Sequence, residues 1–230
     1  MQEKKMERPF RILGMADLHG HVEQLSGLEN LDADLVAFCG DLHNGGTPKE
    51  IRPVAEALAS LGPPVLIVPG NMDPKGFVLD LWKEAGLTVL HARSFQSGET
   101  GFFGFGGMAI HNPVRINDPN RFYLPEEEVY ESLAKANSEI SESRRKVVLS
   151  HQPPRGAQDK VYSGEAVGSL SLRRFIDDFR PELLICGHIH EDRGLAKLGK
   201  TSVVNVGEMR RGYAALIELD EKIKVEWIDL

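Results

Sequence analysis

A chain of 230 residues can bury one large core without disulfide staples. Hydrophobic residues make up 41% and charged residues 27%, which excludes a disordered or fibrous polymer. The net charge of −7 argues against a surface built to grip nucleic acid non-specifically, although a local basic groove stays compatible with it.

No stretch approaches the ~18 apolar residues of a membrane span. The opening segment MQEKKMERPF carries charges but no apolar core, so it does not read as a signal peptide, and a cytoplasmic location is the expectation. Cys39 and Cys186 each close an apolar run and read as buried, reduced thiols.

In chain order, residues 10–16 (FRILGMA) are predicted as a strand and 35–39 (LVAFC) as a short buried one. Thr47 caps a helix whose first turn holds Pro48; the helix runs to about Leu61, where Gly62-Pro63-Pro64 stops it. Residues 65–68 form the next buried strand, and Asp73-Pro74 opens a second helix ending near Gly86. Residues 102–105 read as a strand leading into a Gly-rich turn. The irregular stretch 108–124 carries His111, Arg115 and Arg121 and is expected to lie over a site as a lid. A helix at 126–140, a strand at 146–149 and a helix at 168–179 follow. Strands at 201–206, 213–219 and 223–228, with tight turns and no helices between them, predict an antiparallel meander. Buried βα units with such a tail predict a mixed, layered α/β domain, with residues 1–230 as one unit.

Chemistry-bearing residues stand at the ends of the apolar runs. Asp17-Leu18-His19 follows the first and Gly187-His188-Ile189-His190 follows 181–186 (PELLIC); Gly40-Asp41, Gly70-Asn71 and Ser150-His151 lie between. An extended segment closed by a tight turn aims alternate side chains at one point. Seven N and O donors with no cysteine suit a pair of divalent ions better than one structural zinc. Each piece alone is ordinary: Gly-Asp and Gly-Asn usually mark turns. Five such loops with βα units between them are not, because ligands of open α/β sheets collect at the carboxyl ends of strands.

In this order, Asp17-x-His19, Gly40-Asp41, Gly70-Asn71-x-Asp73, Ser150-His151 and Gly187-His188-x-His190 resemble the motif set of the calcineurin-like metallophosphoesterases, over about residues 10–207. Phe105-Gly106-Gly107, His151-Gln152-Pro153-Pro154 and Asn205-Val206-Gly207 resemble the small prokaryotic members. The resemblance implies a layered α/β/β/α sandwich with mixed sheets and an antiparallel C-terminal meander. It implies one metal on Asp17, His19, Asp41 and His190, a second on Asp41, Asn71, His151 and His188, and Asp41 as the bridge. A bridging hydroxide would then attack a phosphate ester clamped by both ions. Two divalent ions, two aspartates and a hydroxide leave one net positive charge, which attracts a phosphate despite the acidic chain. Manganese is the expected ion, with iron, nickel, cobalt and zinc open.

One departure bears on the chemistry. The family usually carries Gly-Asn-His-Asp/Glu, whose His assists the leaving group; here the tetrapeptide is Gly70-Asn71-Met72-Asp73. Methionine donates no proton, and the small members without this His are associated with phosphodiester hydrolysis. The resemblance therefore favours a phosphodiesterase acting on a small phosphate ester or nucleotide. A phosphomonoesterase or nucleotidase on the same site, or a non-catalytic binding scaffold, stay as alternatives. Asp41, His111 and Asp73 are the catalytic candidates, with Asp73 equally able to act as a helix N-cap before Pro74. Arg155, His111 and His21 are the candidate substrate contacts, His43 a further acid, Arg210 and Arg211 weaker options, and His91 a structural or exposed residue. Oligomeric state is not legible.

Overall fold

The computed structural model describes residues 8–28 and 31–230. Strands β1 (Phe10–Met15), β2 (Leu35–Cys39), β3 (Val65–Val68) and β4 (Thr88–Val89) run parallel. Helices α1 (Pro48–Ala59) and α2 (Val78–Glu84) make the crossovers on either side of β3. The antiparallel pair β13 (Tyr213–Leu219) and β14 (Lys224–Asp229) extends this sheet beyond β1.

A second six-stranded sheet is built the same way. Its parallel centre is β6 (Thr100–Phe105), β9 (Arg145–Ser150), β10 (Leu183–Cys186) and β12 (Thr201–Asn205). β5 (Arg93–Ser97) and β11 (Gly194–Leu198) pair antiparallel at its two edges. Helices α4 (Glu126–Glu139) and α5 (Leu170–Phe179) precede β9 and β10.

The two-residue period of a strand sorts the core into layers. Ile12, Leu35, Leu66, Val147, Leu183 and Ile217 pack between the sheets. Their neighbours Leu13, Val36, Ile67, Val148 and Leu184 face outward, beneath Ile51, Leu58 and Trp82 on one side and Leu133, Leu172 and Phe175 on the other. With both faces covered, strands β2, β3 and β10 are buried at every position, which is why they read as unbroken apolar runs. Each fully buried aliphatic side chain contributes about 1.5–3 kcal/mol, so the sheets form a rigid frame for what their ends carry. The layered α/β/β/α sandwich with mixed sheets is the fold.

Several elements differ from the sequence reading. The antiparallel C-terminal strands β13 and β14 are as expected, but β12, the first strand of the predicted meander, pairs antiparallel with β11 in the other sheet. The turn between β12 and β13 crosses from sheet to sheet, with Met209 fully buried beneath it. Helix α2 begins at Val78 rather than at Asp73, because the Asp73 carboxylate accepts bonds from the loops after β2 and β3 instead of capping a helix. β4, β5 and β11 are too short or too polar to show in the hydrophobic pattern. The stretch 108–124 is ordered: β7 (Met108–Ala109) pairs with β8 (Tyr123–Leu124) around the one-turn helix α3 (Pro113–Ile116), which Asn112 caps. Cys39 and Cys186 are buried free thiols. Among the described residues no helix is long and apolar enough to cross a membrane.

Candidate metal centre

The carboxyl ends of β1, β2, β3, β9 and β10 meet at one edge of the sandwich, and the loops leaving them are woven together. Asp17 N donates to Gly40 O (2.9 Å), His19 N to Asp41 O (3.0 Å) and Gly187 N to His151 O (3.1 Å). To turn this sharply, Asp17, His19, Asp41 and His188 adopt left-handed φ of 56°, 53°, 54° and 68°. Such a residue costs about 1–3 kcal/mol, and the packed sheets over-determine it.

The glycines beside the ligands have a steric reason. A β-carbon on Gly40 would stand 2.5 Å from Gly70 N and 2.8 Å from His151 Nδ1, and one on Gly187 would stand 2.5 Å from Asp17 Oδ2. One on Gly70 would collide with the Asp41 carboxylate.

All seven sequence-predicted ligands come together. Asp17 Oδ1 lies 3.2 Å from His190 Nε2 and 3.7 Å from His19 Nε2, and His151 Nε2 lies 3.6 Å from Asp41 Oδ2. Two groups of three donors result, Asp17–His19–His190 and Asp17–Asp41–His151. Asn71 Oδ1 stands 3.1 Å from His151 Nε2, and the His188 ring centroid is 4.8 Å from that of His151. Asp17 is the residue common to both groups, whereas the resemblance gives the bridge to Asp41.

The residues fit a pair of cations. Asp17 Oδ1 is buried and receives no well-aligned hydrogen bond, although two imidazole nitrogens converge on it. Donors ~2.1 Å from a shared ion stand roughly 3 Å apart, close to the separations found. The electrostatics agree. Burial, then the adjacent Asp17, push Asp41 well above the usual carboxylate range. Burial and then Asp41 lift Asp73 to about 8. Burial opposes the charge of Asp17 as well, but the His190 contact, the two nearby imidazoles and the His188 N–H outweigh it and hold Asp17 at about 2. Three carboxyls crowded where one keeps its charge is the arrangement a cation relieves. Burial, then the charge of His151, lowers His188 to about 3, and burial lowers His19, so both offer neutral ring nitrogens.

Residues 10–192 match the family described as calcineurin-like phosphoesterase. The chain belongs to this family. It is 34% identical to an uncharacterized protein of Methanocaldococcus jannaschii over 208 residues, 87% of this chain and 89% of that one. Its fold is similar to that of the protein TT1561 of Thermus thermophilus, with a TM-score of 0.75, 18% identity, and 95% of this chain and 98% of that one covered. It is similar also to a dimetal phosphatase from Danio rerio, with a TM-score of 0.70, 11% identity, and 97% of each chain covered.

The remaining candidates of this family member separate by place. Asp73 lies beneath the ligands, accepting from Gly70 N (2.8 Å), Asp41 N (3.0 Å) and His43 N (3.2 Å). His111 and Arg155 line one cavity of about 220 Å³ together with Gln152, the neighbour of His151. Arg155 spends its guanidinium on Gly168 O (3.0 Å) and Asp159 (3.7 Å). His21 is exposed and contacts Glu23 at 2.8 Å. His43 bonds to Gly45 O, and His91 packs on Phe105 and Phe122.

Sequence reasoning missed Glu208. Its buried carboxylate lies 3.5 Å from His190 Nδ1, on the ring side away from Asp17, and also pairs with Arg210 and Arg211. A carboxylate there selects the tautomer that presents Nε2 to an ion. The same turn ties the ligand loops from behind: Asn205 Nδ2 donates to Ile189 O (2.8 Å), Met209 N to Ala16 O (2.8 Å) and Arg210 N to Asp17 O (3.0 Å). The available signal was Asn205-Val206-Gly207-Glu208 at the end of an apolar run, the same placement that marked the other ligands.

Proposed function

We propose that this chain, read as one domain over residues 1–230, is a dinuclear metal-dependent phosphoesterase that favours phosphodiesters. The convergence of the two donor groups on the shared Asp17 carries the reading. Asp17, His19, Asp41 and His190 would hold one ion, and Asp41, Asn71, His151 and His188 the other. Two bound divalent ions, manganese first among the choices, lower the pKa of water to the neutral range and neutralise phosphoryl oxygens. The chain's own residues do the rest. Asp73 fixes the Asp41 and Asn71 loops through three backbone N–H groups. Met72 N donates to Asp41 Oδ1 (2.7 Å), which orients that carboxylate.

One observation supports diesters: the Met72 side chain has no proton for a leaving oxygen. A small phosphate ester or nucleotide is the substrate class, and two buried free thiols suit a reducing cytoplasm.

The test is to strip the protein, reload it with Mn²⁺ and compare bis-p-nitrophenyl phosphate with p-nitrophenyl phosphate, using Asp41→Asn as control. Metal-dependent cleavage favouring the diester is the expected result. Preference for the monoester would shift the reading to a phosphomonoesterase or nucleotidase on the same site. Turnover of neither, with both ions bound, would sink the enzyme reading and leave the binding scaffold.

A further inference from the structure

The cations near the centre differ in what they are tied to. Arg210 and Arg211 both pair with Glu208, and Arg155 holds Gly168 O and Asp159. Arg115 donates to Tyr123 Oη (2.7 Å) and lies over its ring. Arg121 is different. Its Nη1 donates only to Asn120 O (3.3 Å), and among the described residues no carboxylate pairs with it, although it is half-buried.

Its place is fixed. The next residue, Phe122, is 2% exposed, packs edge-on against His91, and donates its N–H to Asn71 O (3.2 Å). Phe122 O accepts from Met108 N (3.0 Å), which closes the base of the 108–124 segment on the Asn71 loop. Arg121 Nη1 then lies 3.5 Å from where a β-carbon of Gly45 would stand, and Met72 O lies 3.9 Å from the same point. The guanidinium therefore lies against Gly45, between the loop that follows Asp41 and the loop that carries Asn71 and Met72.

We propose that Arg121 is the residue that grips the substrate's phosphoryl group, through its guanidinium, on the side of Met72. The assignment rests on the phosphoesterase reading above and deepens it. A planar fork of donors suits phosphoryl oxygens and binds them bidentately. A half-buried cation whose backbone is anchored by a buried aromatic neighbour is already held beside these loops, so part of the ordering precedes binding. In hydrolysis a water oxygen bonds to phosphorus, one ester P–O bond breaks, and the departing oxygen leaves with its electron pair. Methionine at 72 gives that oxygen no proton, so it takes one from solvent. Arg121 supplies charge there without a proton. The substrate class this favours is a phosphodiester whose departing group is already a good one, such as a phenol or an acidic sugar hydroxyl.

The experiment uses the full chain loaded with Mn²⁺, with metal content measured for each protein. Arg121→Ala should retain both ions, yet bind inorganic orthophosphate about 10- to 100-fold more weakly by calorimetry, the loss of one charge-assisted contact. Its kcat/KM on bis-p-nitrophenyl phosphate should fall by a similar factor. Arg121→Lys should recover part of both, which a merely structural role would not predict. Orthophosphate binding and turnover within twofold of the parent in Arg121→Ala would overturn the assignment while leaving the phosphoesterase reading intact. A parent that holds two ions but neither binds orthophosphate nor cleaves the diester would overturn both.

Discussion

The two donor groups share Asp17 but are held by different means. In the inner group, Asp17, Asp41 and His151 are all buried and are positioned by backbone: His151 Nδ1 contacts Cys39 O at 2.8 Å, and Met72 N holds Asp41. Asp73 fastens the loops beneath them. In the outer group the His190 side chain is 30% exposed and is braced by a side chain, Glu208, itself pinned by two arginines. Backbone bonds between strand ends form when the sandwich forms. A carboxylate brace acts on one ring and is separable from folding. The inner group is therefore part of the fold, whereas the outer group depends at His190 on a side-chain brace.

The largest expected effect comes from the inner group. Asp41→Asn should lower diester turnover by at least about 10³-fold, several kcal/mol of transition-state stabilisation, and reduce the bound metal measured by elemental analysis. Near-parent rates would remove Asp41 from the chemistry. Asp73→Ala strips the acceptor from three backbone N–H groups, each costing about 1–3 kcal/mol when buried and unpaired. The metal-free protein should lose at least about 3 kcal/mol in denaturant titration. A change confined to metal content would mean that the inner group is no more built into the fold than the outer.

Glu208→Gln probes the other side. It should weaken binding of one ion of the pair by about 10- to 100-fold, seen as a split in a metal titration, while the metal-free protein melts within a few degrees of the parent. Collapse of the metal-free protein would erase the contrast between the two groups.

The last effect lies outside both groups, is confined to acid pH, and sharpens the comparison as a control. Burial, with a contribution from Lys75, lowers His91 to about 4 from 6.5, and its Nδ1 accepts from Gly106 N (3.2 Å). The unfolded chain protonates this histidine below pH 6.5 while the folded one refuses the proton. Stability from this group is complete above pH 6.5 and is lost as pH falls towards 4, at about 1.4 kcal/mol per unit. His91→Gln keeps an acceptor and should flatten that acid slope without altering metal binding. An unchanged slope would assign the acid sensitivity elsewhere.

Much of this protein was legible because its signals are local. Asp17, His19, Asp41, Asn71, His151, His188 and His190 each follow a short apolar run, and a buried parallel strand followed by a polar turn is a pattern of consecutive residues. The capped start of α1 was readable for the same reason: Thr47 N donates to Glu50 three residues on, at 2.8 Å. Short or polar elements such as β4 and β5 were not, because their stability comes from the strands they pair with rather than from their own composition.

The sequence by itself determined the layered fold class, the order of the ligand loops, and the departure at Met72, each carried by residue type and near spacing. Only the tertiary structure decided that Asp17 is common to both donor groups, that Asp73 is a fastener and not a helix cap, and that Glu208 stands behind His190. It alone decided that Arg121, among several arginines, keeps a guanidinium beside Gly45 that no carboxylate of the described residues pairs with. These depend on which side chains meet across long stretches of chain, as in the bond from His188 N to Asp17 Oδ2 at a separation of 171 residues. Pairings at that range are set by how two sheets stack, which no local pattern records.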